Sequence, residues 1–326
     1  MAVYTVVPAE ELAIFLRAYD CGELVSAKGI AEGVENSNYL VETTGPDGRG
    51  HRYILTLYEK RVDPADLPFF IDLLDHLGAR GCRVPLFIAD RAGRHLQELC
   101  GRPACLIEFL TGVSVTEPTP AQAYAAGRAM AEMHRAAGDF TSSRPNSLGI
   151  AGWAPLAASC ADGLDSIAPG LAGRVAGELA HLNAVWPHAL PHSVIHADLF
   201  PDNVLMLGEA VTGLIDFYFS CTDIRAYDLA IMHGAWCFSA DGSDYHADRG
   251  AALTAGYQSV MPLSAEERAA FATLCRGAAL RFLLTRAYDW INTPADAMVT
   301  RKDPLAYLRR LDFYAGADAA LLLDGA

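Results

Sequence analysis

Apolar residues in the first third of the chain change their period twice. Residues 8–19 place Leu12, Phe15, Leu16 and Tyr19 on one helical face behind an acidic first turn, Glu10 and Glu11, and Gly22 closes the run. Residues 25–32, 37–43 and 53–58 then read as three strands, joined by Gly33-Val-Glu-Asn36 and by Gly45-Pro-Asp-Gly-Arg-Gly50. Asp63-Pro64 opens a helix in the order cap then proline, with Leu67, Phe70, Ile71 and Leu74 on one face. Pro68 is expected to remove one hydrogen bond from its second turn. Strands at 95–99 and 105–110 meet through Gly101-Arg-Pro103. Five strands and one internal helix predict a small mixed unit.

From Thr119-Pro120 the period is helical. Residues 121–137 are alanine-rich and stop at Gly138, and a second helix covers about 170–186. Three short apolar runs follow, 193–195, 204–207 and 211–215, with Gly208-Glu209 as the turn between the last two. An apolar helix begins at Arg225 and reaches Trp236; Ser264…Glu267 is a capping box opening a long helix to about residue 291; Asp303-Pro304 starts the last helix. The pattern predicts an α+β chain of two lobes, a small mixed N-terminal lobe over 1–109 and a larger, mainly helical lobe over 110–326. Between them, Glu108-Phe109-Leu110-Thr111-Gly112 reads as a hinge.

Composition narrows the class. With 52% hydrophobic and 20% charged residues, the 326-residue chain can bury a full core. A formal charge of −14 argues against a nucleic-acid backbone as partner. Eight cysteines show neither Cys-x-x-Cys nor zinc spacing, which suits a reducing compartment; Cys100 and Cys105 flank a turn and could face each other across a hairpin. No secretory signal and no bilayer-length apolar run is visible, so the expectation is a cytoplasmic protein without membrane attachment.

The chemistry concentrates in 193–217. Asp198, Asn203 and Asp216 each stand where a short apolar run ends. A hairpin would bring Asn203 and Asp216 to one end, and the step from Asp198 to Asn203 can curl back to it. Two carboxylates and an amide carbonyl make a hard oxygen site suited to Mg²⁺ with substrate phosphates. His196-Ala-Asp198, four residues, then Asn203 has the catalytic-loop spacing His-x-Asp-x-x-x-x-Asn of protein kinases, and Asp216-Phe217 stands where their metal-binding Asp-Phe stands. In that chemistry Asp198 takes the proton of the attacking hydroxyl, and Asn203 and Asp216 hold the metal. Each of these residues alone would pass for an ordinary turn cap. Within the first connection, Gly33, Asn36 and Ser37 offer N–H groups and a hydroxyl to a nucleotide phosphate, or simply make a hairpin turn. Glu108 and Leu110 lie where backbone contacts to adenine are expected. His134, near a helix end, reads as a capping or core histidine rather than a base.

These words resemble the aminoglycoside phosphotransferase and choline kinase superfamily. Within it the chain is similar, over nearly its whole length, to homoserine kinases of the kinase-like type. The matching segments include Glu35-Asn-Ser-Asn-Tyr39, Tyr53-Ile-Leu-Thr-Leu-Tyr-Glu-Lys-Arg61, Asp66-Leu-Pro-Phe-Phe70, Val194-Ile-His-Ala-Asp-Leu-Phe200, Gly213-Leu-Ile-Asp-Phe-Tyr-Phe219, Ala235-Trp-Cys-Phe238 and Leu280-Arg-Phe-Leu-Leu-Thr-Arg286. The resemblance implies a bilobal protein-kinase-like fold and ATP-dependent phosphorylation of the side-chain hydroxyl of L-homoserine, in threonine biosynthesis. Another amino alcohol or an aminoglycoside is the alternative substrate, and a catalytically silent nucleotide-binding protein the alternative role. Asp223, Arg281 and Arg286 are candidates for the substrate's ammonium and carboxylate. Two departures stand out. The strand-three cation of the kinase pattern is replaced by Thr56, leaving phosphate charge to Mg²⁺, to loop N–H groups, or to Lys60 or Arg61. The glycine of Asp-Phe-Gly is replaced by Tyr218.

Overall fold

The alternating segments near the N-terminus build a single antiparallel sheet. In the computed structural model, which describes residues 4–30, 36–45, 47–59, 63–293 and 301–325, the chain divides into two units, Met1–Thr111 and Gly112–Ala326. The first contains α1 (Ala9–Leu16), β1 (Glu23–Gly29), β2 (Asn36–Thr44), β3 (Gly50–Tyr58), α2 (Leu67–Ala79), β4 (Gln97–Leu99) and β5 (Arg102–Glu108), with strand order β1-β2-β3-β5-β4. Along β2 the side chains alternate. Tyr39 and Val41 face a core with Leu55 and Leu57 of β3, Leu106 of β5, and Leu12, Phe15, Leu16 and Tyr19 from α1 and its last turn. Each such side chain, fully buried, contributes about 1.5–3 kcal/mol. Asn38, Leu40 and Glu42 point to the other face of β2.

Several boundaries move for local reasons. The predicted helix to residue 19 is α-helical only to Leu16, because the next N–H groups reach back three residues, Tyr19 to Leu16 O at 3.0 Å; this tighter turn still delivers Tyr19 to the core. The helix expected from Asp63 begins as a 3₁₀ turn, Pro64–Asp66, and α2 follows. Pro68 therefore falls in the first turn of α2, where no hydrogen bond is lost. The end of the strand predicted over 25–32 lies outside the described residues. Cys100 sits in the β4–β5 turn with φ of 52°, whereas Cys105 is buried opposite Thr56, so the two do not face each other; all eight cysteines are free.

The second unit is mainly helical, with two short strand pairs. Its elements are α3 (Pro120–Ala136), α4 (Ile150–Ile167), α5 (Leu171–Val185), β6 (His192–Ile195), β7 (Val204–Leu207), β8 (Ala210–Leu214), β9 (Cys221–Ile224), α6 (Arg225–Trp236), α7 (Ala247–Gln258), α8 (Ala265–Asn292), α9 (Leu305–Gly316) and α10 (Ala319–Asp324). The capping box at Ser264 and Glu267 closes as the spacing predicts, and Thr119 with Gln122 forms a second one. β7 and β8 make the expected hairpin. β6 instead pairs with β9, a strand that the sequence did not announce. Three helices were also missed: α4, α7 and the short α10, which follows the helix expected to be the last. α4 contains Gly152 and Pro155 and begins beside Gly149, all breaker signals, yet it is held by Trp153, buried against Trp186 at 5.0 Å. α7 carries three glycines or threonines that lower its intrinsic propensity, Gly250, Thr254 and Gly256. Among the described residues no helix is long and apolar enough to cross a membrane.

One glycine on each helix explains why α3 and α7 pack so closely. A Cβ at Gly127 of α3 would lie 2.1 Å from Leu253 O, and one at Gly256 of α7 would lie 2.0 Å from Tyr124 O. Gly177 of α5, by contrast, has open space where a Cβ would go. Gly127→Ala and Gly256→Ala should each lower stability by about 1–3 kcal/mol or more, since backbone must move. Gly177→Ala should raise it by about 0.5–1 kcal/mol. Urea unfolding of the three variants checks both signs.

Candidate active site

Residues 196–203 form a loop whose backbone is tied down almost atom by atom. It leaves β6 at Ile195, and its anchor is Asp228, one turn into α6 and fully buried. The Asp228 carboxylate accepts the His196 N–H at 2.7 Å and the Ala197 N–H at 2.8 Å, and His134 Nε2 at 3.0 Å. Burial alone would raise the Asp228 pKa; the hydrogen bond and charge of His134, with His196 and its N–H, outweigh that and hold the carboxyl below the ordinary range. His134 is a core histidine, its Nδ1 meeting the Tyr257 hydroxyl at 2.9 Å. Arg281 of α8 donates to Ala197 O, and Trp236 Nε1 donates to Leu199 O at 2.9 Å. Ala197 adopts φ of +64°, a conformation that such anchoring sustains.

His196 is the second clamp. Its Nδ1 accepts the Asp198 N–H at 3.3 Å and its Nε2 donates to Ile215 O at 3.0 Å, which fixes a neutral Nε2–H tautomer. Burial lowers the pKa of this imidazole, in keeping with that assignment. Its ring packs on Phe217, centroids 4.6 Å apart. Ile215 N–H in turn donates to Asn203 O at 3.0 Å. Both backbone groups of Ile215 are thus held by the 196–203 loop, and the next residue, Asp216, is presented beside it at φ of +66°.

The three predicted polar residues converge accordingly. Asn203 Nδ2 donates to Asp198 O at 2.8 Å and lies 3.4 Å from Asp198 Oδ2. That orientation turns Asn203 Oδ1 away from Asp198, free to ligate a cation. Burial pushes the half-buried Asp198 carboxyl well above the ordinary range; the Arg281 guanidinium opposes the shift, and the Asp216 and Asp202 charges add to it. Asp216 itself is exposed. Among the described residues no three His, Cys, Asp or Glu side chains form a ready metal cage. An amide oxygen and one or two carboxylates leave most coordination positions to phosphates and water, the arrangement Mg²⁺ accepts.

The sequence of the whole chain agrees with this geometry. Residues 26–263 match the model of the phosphotransferase enzyme family. The chain belongs to that family. It is 55% identical over 320 residues to a homoserine kinase of Xanthobacter autotrophicus and 54% identical over 320 residues to a homoserine kinase of Acidiphilium cryptum, in each case covering 98% of both chains. A solved spectinomycin phosphotransferase superposes with a TM-score of 0.70 at 12% identity, over 96% of this chain and 99% of that one. The fold is therefore the kinase-like α+β fold that the resemblance implies.

The remaining candidates of this phosphotransferase fall in different settings. Arg281 is 1% exposed and sits under the loop, its Cζ 4.6 Å from the Phe282 ring. Arg286 is half-buried, stacked 4.5 Å from the Tyr307 centroid, with Nη1 donating to Asp303 O at 3.1 Å. Asp223 lies on β9 opposite Ser193, toward the start of β6, and accepts Asn146 Nδ2 at 2.7 Å. In the first unit β2 begins at Asn36, one residue before the strand the sequence places from Ser37, so both residues belong to it. Asn36 is buried, and the Ser37 hydroxyl is committed internally: it accepts Tyr4 N–H and Thr5 N–H and donates to Glu59 Oε1 at 2.7 Å. The Glu108 N–H donates to Leu86 O at 2.8 Å, and Leu110 lies two residues past the end of β5. Gly33, Lys60 and Arg61 lie outside the described residues. Sequence reasoning passed over Asp228, although a lone acid inside the apolar run Ala226–Met232 was a usable signal.

Replacing Asp228 by Asn turns one acceptor into an NH₂ group facing N–H donors in either orientation. Asp228→Asn should cost about 3 kcal/mol or more. Because the folded pKa is depressed, the wild-type carboxylate contributes fully above about pH 4 and loses that contribution as pH falls further. Denaturation curves between pH 3 and 7 should therefore show a shallower acid limb for the variant than for wild type.

Proposed function

We propose that this protein is an ATP-dependent kinase transferring the γ-phosphoryl group to the side-chain hydroxyl of L-homoserine, giving O-phospho-L-homoserine. The observation that carries the substrate is the 55% identity to homoserine kinases across 98% of both chains. The convergence of Asp198, Asn203 and Asp216 supports the chemistry. In the transfer, the bond from the γ-phosphorus to its bridging oxygen breaks, a bond to the homoserine hydroxyl oxygen forms, and Asp198 accepts the hydroxyl proton. Its raised pKa makes it a better proton acceptor than an ordinary carboxylate.

Asn203 Oδ1 and the Asp216 carboxylate are the protein groups that would hold Mg²⁺. When bound, the ion neutralises phosphate charge and orients the γ-phosphoryl group. Met1–Thr111 is the nucleotide-binding unit in this reading, with the first connection (Gly33, Asn36) near phosphate and backbone groups at Glu108 and Leu110 near adenine; Ser37, its hydroxyl committed, contributes only backbone. Gly112–Ala326 supplies catalysis and the amino-acid site. Of the three substrate candidates Arg286 fits the carboxylate best. Its planar guanidinium is fixed on Tyr307 and no carboxylate among the described residues lies within ion-pair distance of it. Arg281, buried beneath the loop, orients Ala197 and steadies Asp198 instead, and Asp223 is engaged with Asn146.

A coupled ADP assay with homoserine, with and without Mg²⁺, tests the reading. Wild type should turn over only with both present. Asp198→Asn should lower kcat by roughly 10²–10⁴-fold while the KM for ATP stays nearly constant, and Asp216→Asn should raise the Mg²⁺ requirement. Wild-type turnover with aminoglycosides or simple amino alcohols but none with homoserine would overturn the substrate assignment.

A further inference from the structure

Thr56 on β3 stands where kinase-like enzymes place the cation for the nucleotide phosphates, and the surroundings show that the position is built for a neutral group. It is 2% exposed and pairs directly with Asn38 of β2 on one side and with buried Cys105 of β5 on the other. A kinase lysine at this place is held by an acid from the adjoining helix, but α2 buries only Leu67, Phe70, Leu73, Leu74 and Leu77, and its Asp72 and Asp75 are exposed. The acid near the end of β3, Glu59, is taken by Arg102 at 3.2 Å and by Ser37. Both halves of the ion pair are therefore gone together. A lysine here would be a buried cation without a counter-charge.

What replaces it is an oriented amide. Thr56 Oγ1 donates to Asn38 Oδ1 at 2.8 Å. With its Oδ1 accepting from Thr56, the Asn38 NH₂ group points away from that hydroxyl. Asn38 is only half-buried, and among the described residues its Nδ2 donates to nothing. It lies on the face of β2 opposite Tyr39 and Val41, the face not covered by α1. We propose that the Asn38 carboxamide, turned outward by Thr56, donates to the ATP phosphates in place of the strand-three cation. Thr56 is its positioning residue. An N–H bonded to a phosphate oxygen is a charge-assisted hydrogen bond, and it needs no buried counter-ion. This assignment rests on the phosphotransfer reading above and adds to it how phosphate is gripped from the first unit.

The test is equilibrium binding, by calorimetry, of ATP and of adenosine to the full-length protein. Asn38→Leu should weaken ATP by about 10- to 100-fold and leave adenosine within about twofold. Asn38→Asp, nearly the same shape with a like charge facing the phosphates, should weaken ATP further. Thr56→Val, which frees the amide to rotate, should weaken ATP several-fold, whereas Thr56→Ser should restore it. Unchanged ATP affinity in Asn38→Leu, or an equal loss for adenosine and ATP, overturns the assignment while leaving the kinase reading intact. A wild-type protein that binds adenosine and ATP equally well, or neither, overturns the kinase reading as well.

Discussion

A single buried carboxylate carries the geometry of the reactive loop. Asp228 gives two acceptor oxygens to successive backbone N–H groups, His196 and Ala197, in a setting without water to compete. An uncompensated charge there would be expensive, and two N–H donors without acceptors would be as well. Each defect cancels the other only when the loop leaves β6 in one conformation. His134 closes the arrangement from α3 and is itself held by Tyr257 of α7, so three helices contribute to the orientation of one peptide unit. Displacing any one of them would be felt at Asp198.

The same logic continues outward from His196. One imidazole in one tautomer bonds the Asp198 N–H and the Ile215 carbonyl, and so couples the loop to the β8 exit. The Ile215 N–H returns a bond to Asn203. The oxygen-bearing side chains of Asp198, Asn203 and Asp216 are placed mainly by bonds to backbone, and Asn203 Nδ2, 3.4 Å from Asp198 Oδ2, adds a contact between two of them. Burial raises the pKa of Asp198, Arg281 counters the shift from beneath, and the Asp216 and Asp202 charges add to it. Buried groups beneath the loop set its geometry, while Asp216 stays exposed and Asp198 half-buried.

Much of this was legible in the sequence, and the failures share a cause. Strand ends at Asp198, Asn203 and Asp216 follow from short apolar runs and turn residues, and the capping box at Ser264 announces α8 because both signals are local. β9 was invisible because four residues, Cys221–Ile224, acquire strand character only by pairing with β6. α4 and α7 were hidden because Pro155 and the glycines of α7 lower helix propensity while tertiary packing holds the helices: the Trp153–Trp186 contact in one case and the close approach to α3 in the other. The commitment of the Ser37 hydroxyl was hidden for a different reason: it satisfies the N–H groups of Tyr4 and Thr5, a partnership over thirty residues away in the chain.

The exchange of Gly for Tyr218 after Asp216-Phe217 acquires a physical reading from these contacts. Asp216 already occupies the left-handed region without being glycine, which costs on the order of 1–2 kcal/mol. Such a conformation persists only if its neighbours over-determine it. They do: Ile215 is bonded through both its N–H and its carbonyl, and Phe217 is buried against His196. A segment pinned on both sides of the strained residue gains nothing from a flexible glycine after it. In protein kinases the Phe of Asp-Phe-Gly sets active and inactive states by its packing. Here that packing is the His196–Phe217 contact, made by the same histidine that accepts the Asp198 N–H, so moving Phe217 would disturb the 196–203 loop with it. Flipping this segment would therefore cost the 196–203 loop its geometry, and the exposed Asp216 carboxylate is presented beside that loop by the bonds of Ile215.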